Sequence, residues 1–408
     1  GILGMLLHPL CILLVCFPLG VAATYCGWGA VAVFWLNFLG LIPLAKLLGD
    51  ATEELAAGLR NDMLAGLLNA TFGNAVEVVI MVITLRAGLV DVVKATLLGS
   101  VLSNLLLVLG CSFFFGGLLA HVESASKGNS DQTKCSKDSL IDAEQRKSTA
   151  SMSEIEFAAE KVQTFSVMSA MVNTSLLLLS CLSLCMVTVF YTETQDDIRI
   201  RSGDSVLEVS RTAAIAMMLA YCAYIFFQLV THREAMAEEE GDGEEESPSL
   251  SIPAAIITML CVTVIVAWSS EMLVNSLEEV VSSSHISSHF IGIILLPIVG
   301  NACEHASAIR FAVQDKPGLA IGIAVGSSTQ ISLFVVPFSV LCGWCIEQPM
   351  DLNFGSLNTT VLSLSVIVVL SIVVDGAATW LQGYLLISAY MVIGVLYWHL
   401  PDKMKEVM

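Results

Sequence analysis

The chain has 408 residues, 13% of them charged, with a mean hydropathy of +0.80; a water-soluble domain carries about 25% charge, so an ordinary soluble fold is excluded. The formal net charge of −19 lies mostly in loops and argues only against a nucleic-acid partner.

Apolar runs long enough to cross a bilayer recur eleven times in chain order, at 5–25, 28–48, 63–86, 92–119, 165–191, 209–230, 252–276, 288–312, 318–346, 356–374 and 377–399. Each meets the roughly 17–25 residues that a spanning helix needs. Lipid offers no partner for bare backbone, so the runs are expected to be helices. The fold class is an all-α integral membrane protein of about eleven transmembrane helices, with the lipid bilayer as its main surroundings. The twelve cysteines are scattered through apolar segments, where a thiol acts as a small hydrophobe. Cys342 and Cys345 form a lone Cys-x-x-Cys, read as packing. The chain starts at Gly1 rather than Met, so an N-terminal tail is expected to be missing.

If all eleven runs cross, one side carries Lys46, Arg60, Lys127, Lys134, Lys137, Arg146, Lys147, Lys161, Arg233, Arg310 and Lys316. The other side carries Arg86, Lys94, Arg199, Arg201, Arg211, Lys403 and Lys405. The split of 11 to 7 favours a cytosolic N-terminus. Two polar linkers interrupt the series. Residues 121–160 have the composition of a mobile loop. The second contains Glu238, Glu239, Glu240, Glu244, Glu245 and Glu246, a solvated linker by its charge and a candidate regulatory element by its position after the sixth run.

Gly73-Asn74-Ala75-Val76-Glu77 in the third run returns as Gly300-Asn301-Ala302-Cys303-Glu304 in the eighth. Each motif is followed 26 residues later by Gly-Ser, at Gly99-Ser100 and Gly326-Ser327, so both pairs share an ungapped offset of 227 residues. With a gap, Thr52-Glu53-Glu54-Leu55 aligns with Ser270-Glu271-Met272-Leu273. Five crossings separate the third and eighth runs, so the two copies run in opposite directions. Inverted repeats with a site near the midplane are the usual plan of secondary transporters. The expected organisation is a first helix at 1–27, a five-helix repeat at 28–233 with the loop 121–160, an acidic linker at 234–250, and a second five-helix repeat at 251–408.

A carboxylate at bilayer depth costs about 2.5–3.5 kcal/mol, and an equivalent pair costs about twice that unless something compensates. Glycine beside asparagine permits local unwinding, which frees backbone carbonyls to join the Glu and Asn oxygens. Ca²⁺ takes six to eight oxygen ligands. Glu77, Glu304, Asn74 and Asn301 are therefore the candidate metal ligands. Ser100, Ser103 and Asn104 on one inner helix, and Ser327, Ser328 and Gln330 on the other, are second in rank. His305 adjoins Glu304 on another helix face and is read as packing or a proton relay. Burial favours the protonated carboxyl and a divalent cation the ionised one, so the same groups can exchange metal for protons. Glu53 and Glu271, one run earlier in each repeat, are candidates for proton coupling or gating.

The stretches 69–77 and 295–305, with Gly99–Gly110 and Ala324–Gln330, resemble the signature repeats of the vacuolar cation/proton exchangers, a branch of the Ca²⁺/cation antiporter superfamily. The resemblance covers nearly the whole chain. It implies exchange of Ca²⁺, with Mn²⁺ left open, for H⁺ across an acidic organelle membrane by alternating access. It also implies metal ligation by Glu77 and Glu304 with Asn74 and Asn301. Glu53 and Glu271 would serve proton coupling, and Ser100, Ser103, Ser327, Ser328 and Gln330 would surround the site. No cofactor is expected beyond the transported ions, and a homo-oligomer is left open. Cys303 departs from the expected Ala, and the 121–160 loop is longer than expected. The alternatives are a sodium-coupled exchanger, a cation channel, and a membrane-embedded enzyme. No His-Glu-x-x-His or comparable nucleophile constellation supports the enzyme.

Overall fold

The structure is a computed structural model and describes residues 5–59, 62–118, 162–194, 203–232, 249–283 and 286–401. The 121–160 loop and the acidic run Glu238–Glu246 lie outside the described residues. In chain order the helices are α1 (Pro9–Cys26), α2 (Ala30–Gly58), α3 (Asp62–Phe72), α4 (Ala75–Arg86), α5 (Val90–Leu118), α6 (Val167–Thr194) and α7 (Ser205–Thr231). The second series is α8 (Ile252–Ser283), α9 (Ser288–Gly300), α10 (Ala302–Val313), α11 (Pro317–Cys345), α12 (Ser356–Val373) and α13 (Trp380–His399). Both series follow one plan: a long helix, a broken pair, a long inner helix, then two more.

Among the described residues, nine helices are long and apolar enough to cross a membrane, and ten if the α9–α10 pair, bent by 59°, is one span. The run expected at 63–86 is two short helices, α3 and α4, meeting at Gly73-Asn74. Both breaks fall on the repeated Gly-Asn, where a helix former gives way to two residues of low propensity. α2 outruns its expected end at 48 by ten residues, carrying Asp50, Glu53 and Glu54 with it. Lys46, at the end of the expected run 28–48 and counted with the side that follows it, lies well inside α2 and pairs with Asp50 one turn on, which weakens the count that favoured a cytosolic N-terminus. The pairing spares a cation in an apolar run the cost of standing alone.

Two apolar cores organise the bundle. One is built by α5, α6, α7, α11, α12 and α13, with Leu105, Leu109, Ala324, Val335, Val366 and Leu386 at its centre. The other joins α2 to α8 through Leu41, Leu48, Val266 and Leu273. The broken pairs lie between them. α4 gives Val76 and Ile80 to the second core but Met81 and Leu85 to the first, and α9 gives Leu296 and Val299 to the second but Ile293 and Ile294 to the first. Each half-helix is thus wedged between two bodies, which places the Gly-Asn breaks at the seam.

A two-residue antiparallel bridge, β1 (Gln163–Thr164) with β2 (Ala377–Ala378), ties the chain before α6 to the turn between α12 and α13. Gln163 donates to Ala312 O at 2.9 Å and to Asp315 at 3.1 Å, securing that end of the polar loop to the α10–α11 turn.

Candidate cation site

Glu77 opens α4 and Glu304 opens α10, each in the first turn after its Gly-Asn break. A helix start presents unpaired N–H groups and the positive end of the helix dipole, which favours a carboxylate. Glu77 is 4% exposed, and its Oε1 faces the other repeat: a Cβ added to Gly300 would stand 2.7 Å from it. Any side chain at 300 would displace the carboxylate, so this glycine is required by close approach. Glu304 is partly buried, and its Oε2 has no hydrogen-bond partner.

The amides and hydroxyls interlock the halves. Asn301 donates to Ser100 O at 3.1 Å. Asn74 donates to Gln330 Oε1 at 2.6 Å and accepts from Ser327 at 3.0 Å, while Ser327 in turn accepts from Asn104 at 3.0 Å. Buried oxygens remain that have no hydrogen-bond partner: Glu77 Oε1, Glu304 Oε2, Asn301 Oδ1, Ser100 Oγ, Ser103 Oγ and Asn104 Oδ1. An unpartnered buried polar atom costs about 1–3 kcal/mol, so such a group of acceptors calls for a compensating ligand. Two carboxylates with amide and hydroxyl oxygens form a hard donor set, suited to Ca²⁺ or Mn²⁺ rather than to thiophilic metals.

Most of the expected site residues meet here, but not all in the expected role. Ser328 turns to backbone, donating to Ala324 O at 2.8 Å, as a helix-bending serine does. Glu53 and Glu271 are exposed on α2 and α8. Glu53 sits on the helix that touches α10, where a Cβ at Gly49 would meet Cys303 Sγ at 3.1 Å. His305 Nδ1 lies 2.7 Å from Asn301 O, so the ring follows its own helix, and its Nε2 is buried without a partner. Asn104 belongs to the network more firmly than its sequence rank implied; its place four residues, one helical turn, beyond Ser100 was the available signal. There α5 passes into a π-helical segment, Ser103–Val108, and α11 does the same at Ile331–Val335, in equivalent register. π turns recur at functional sites in helices.

The two repeats flank the site differently. α9 lies hard on α5: a Cβ at Gly99 would fall 2.2 Å from Ile293 O and 2.6 Å from Pro297 Cγ. Among the described residues, nothing lies within 4 Å of a Cβ at the equivalent Gly326 on α11, nor at Gly322 one turn earlier. The equivalent half-helix, α3, leans instead on α7, where a Cβ at Gly66 would fall 2.5 Å from Leu229 Cδ2. Among the described residues, packing on the inner helices is tight at Gly99 and open at Gly322 and Gly326.

A bundle of two like series, each broken at a carboxylate that faces the other, is the architecture of a secondary transporter. The comparisons name its family: residues 29–230 and 254–398 match the sodium/calcium exchanger protein family, and the chain belongs to it. It is 39% identical over 393 residues to vacuolar cation/proton exchanger 1b of Oryza sativa subsp. japonica, covering 93% of this chain and 77% of the relative. It is 36% identical to a Ca²⁺/H⁺ antiporter of Synechocystis, covering 96% and 97%. The solved structure of native YfkE superposes with a TM-score of 0.74 at 31% identity, covering 96% of this chain and all of that one.

Proposed function

We propose that this protein is a secondary active antiporter that exchanges Ca²⁺ for H⁺ across an acidic endomembrane such as the vacuolar one. The observation that carries the reading is the Glu77 carboxylate buried against Gly300 of the opposite repeat, the glycine that stands four residues before Glu304. The names of the rice and Synechocystis relatives support the ion pair. Each carboxylate holds a proton or shares the metal, since the cation favours the ionised form and a dry site the protonated one. Loading with Ca²⁺ therefore expels protons, and protons expel Ca²⁺. The contrast between Gly99 and Gly326, drawn among the described residues, supports the mechanical half, with access on the α3 side. Exchange of the two arrangements, with α3 closing on α11 as α9 leaves α5, carries the site to the other face. By the distribution of Lys and Arg, the open side is the cytosolic one.

Glu77 and Glu304 ligate the metal, with Asn301, Ser100, Ser103 and Asn104 as further oxygen donors. Glu53, exposed near Cys303, serves entry or proton transfer at the open side, and Glu271 is its counterpart on α8. The acidic linker is a candidate regulator at the same face: Ser249, just after it, donates its backbone N–H to Glu54, beside Glu53, at 2.7 Å.

The test is uptake of radiolabelled Ca²⁺ into reconstituted vesicles with an acidic interior. Uptake abolished by a protonophore, by Glu77→Gln and by Glu304→Gln is the expected result. Uptake that ignores the pH gradient but follows a Na⁺ gradient would assign the sodium-coupled reaction instead.

A further inference from the structure

The offset of 227 residues that superposes the repeats allows each polar contact to be compared with its twin. Asn74 corresponds to Asn301, Ser327 to Ser100, Gln330 to Ser103 and Asn104 to Ile331. In one arrangement the donors and acceptors form a continuous chain: Asn104 donates to Ser327 at 3.0 Å, Ser327 to Asn74 at 3.0 Å, and Asn74 to Gln330 at 2.6 Å. The twin chain cannot form, because Ile331 carries no donor and Ser103 is too short to take the place of Gln330. Asn301 accordingly donates to the Ser100 backbone, and Asn301 Oδ1, Ser100 Oγ and Ser103 Oγ are left without hydrogen-bond partners. Both ends of the Asn74 carboxamide are engaged, whereas that of Asn301 keeps its oxygen available. The difference is written in residue identity, so exchanging the conformations of the two repeats does not remove it.

We infer that the twin asparagines have different work: Asn301 is a cation ligand, whereas Asn74 is a positioning residue locked by Gln330 and Ser327 beside Glu77. Gln330 then acts through Asn74 and does not touch the cation. The inference rests on the Ca²⁺ exchange reading and goes beyond it, since both asparagines and Gln330 are equivalent ligand candidates by sequence. Orienting partners of this kind typically change metal affinity or activity by about 10–100-fold when removed.

The experiment is a double-mutant cycle on proton-driven Ca²⁺ uptake in vesicles, with Asn74→Ala, Gln330→Leu and the pair, beside a second cycle with Asn301→Ala and Gln330→Leu. Gln330→Leu is expected to lower uptake efficiency about tenfold in the wild-type background. In the Asn74→Ala background it should add less than about twofold, because the partner it served is gone. Asn301→Ala should raise the Ca²⁺ KM, and its loss should multiply with that of Gln330→Leu. Gln330→Glu, which keeps an acceptor for the Asn74 amide, should restore most of the activity. Independent, multiplying effects of Asn74 and Gln330 would overturn the inference and make both of them ligands. A Ca²⁺ KM unchanged in Asn301→Ala would also overturn it. The cycle is repeated with Asn74→Ser and Gln330→Met, so that a misfolded variant does not leave it open. Failure of the wild-type protein to take up Ca²⁺ would overturn the parent reading, which additive cycles in an active protein would leave standing.

Discussion

The half-helices α3 and α9 occupy equivalent places in the two repeats and have opposite fates. α9 is pressed on α5 so closely that Gly99 has no room for a methyl group, while α3 leans toward Leu229 and no described residue comes within 4 Å of a Cβ at Gly326. Equivalent chain segments thus sit in different surroundings, a difference of the kind that packed interfaces switch between in discrete steps. The same comparison separates what moves from what is fixed. Conformation can trade places between the repeats, but the amide chain through Gln330 cannot, since Ser103 stands at its twin position.

The comparison can be broken most decisively at its shared chemistry. Glu77→Gln and Glu304→Gln are each expected to abolish Ca²⁺ uptake, and normal transport by either would remove that carboxylate from the site. The packing contrast comes next. Gly99→Ala forces apart a backbone contact, and overpacking of this kind costs about 1–3 kcal/mol; its thermal midpoint should fall measurably below that of Gly326→Ala. Equal midpoints would mean that α9 is not seated on α5. In a background lacking reactive cysteines, Gly326→Cys should react with a membrane-impermeant thiol reagent applied from one side only, and Gly99→Cys from neither. Labelling of both from one side would erase the asymmetry. The smallest expected effect belongs to Glu54, which accepts from Ser249 N at 2.7 Å and Leu250 N at 2.9 Å at the start of α8. Glu54→Gln weakens charge-assisted hydrogen bonds to the segment just ahead of α8, worth about 1 kcal/mol. A small drop in stability with unchanged Ca²⁺ KM is expected, and a large KM change would place Glu54 on the ion path.

Much of this was legible in residue order because the governing rules are local. Apolar runs of bilayer length require helices, and a repeated Gly-Asn-x-x-Glu at constant offset requires two like sites, whatever surrounds them. Those rules sufficed for the helical class and the paired series, and they singled out Glu77 and Glu304 as the carboxylates that follow the two breaks. They failed where a contact joins residues far apart in the chain. The sequence could not show that α3 and α4 are separate short helices, that Lys46 is held inside α2 by Asp50, or that Ser328 serves its own backbone. Nor could it rank Asn301 against Asn74, because both present the same carboxamide after the same glycine. Only the tertiary structure brings Gln330 to 2.6 Å from Asn74 across 256 residues and leaves Asn301 Oδ1 without a hydrogen-bond partner. Residue order determined which oxygens the protein carries into the membrane; packing between distant helices decided which of them are left without a hydrogen-bond partner.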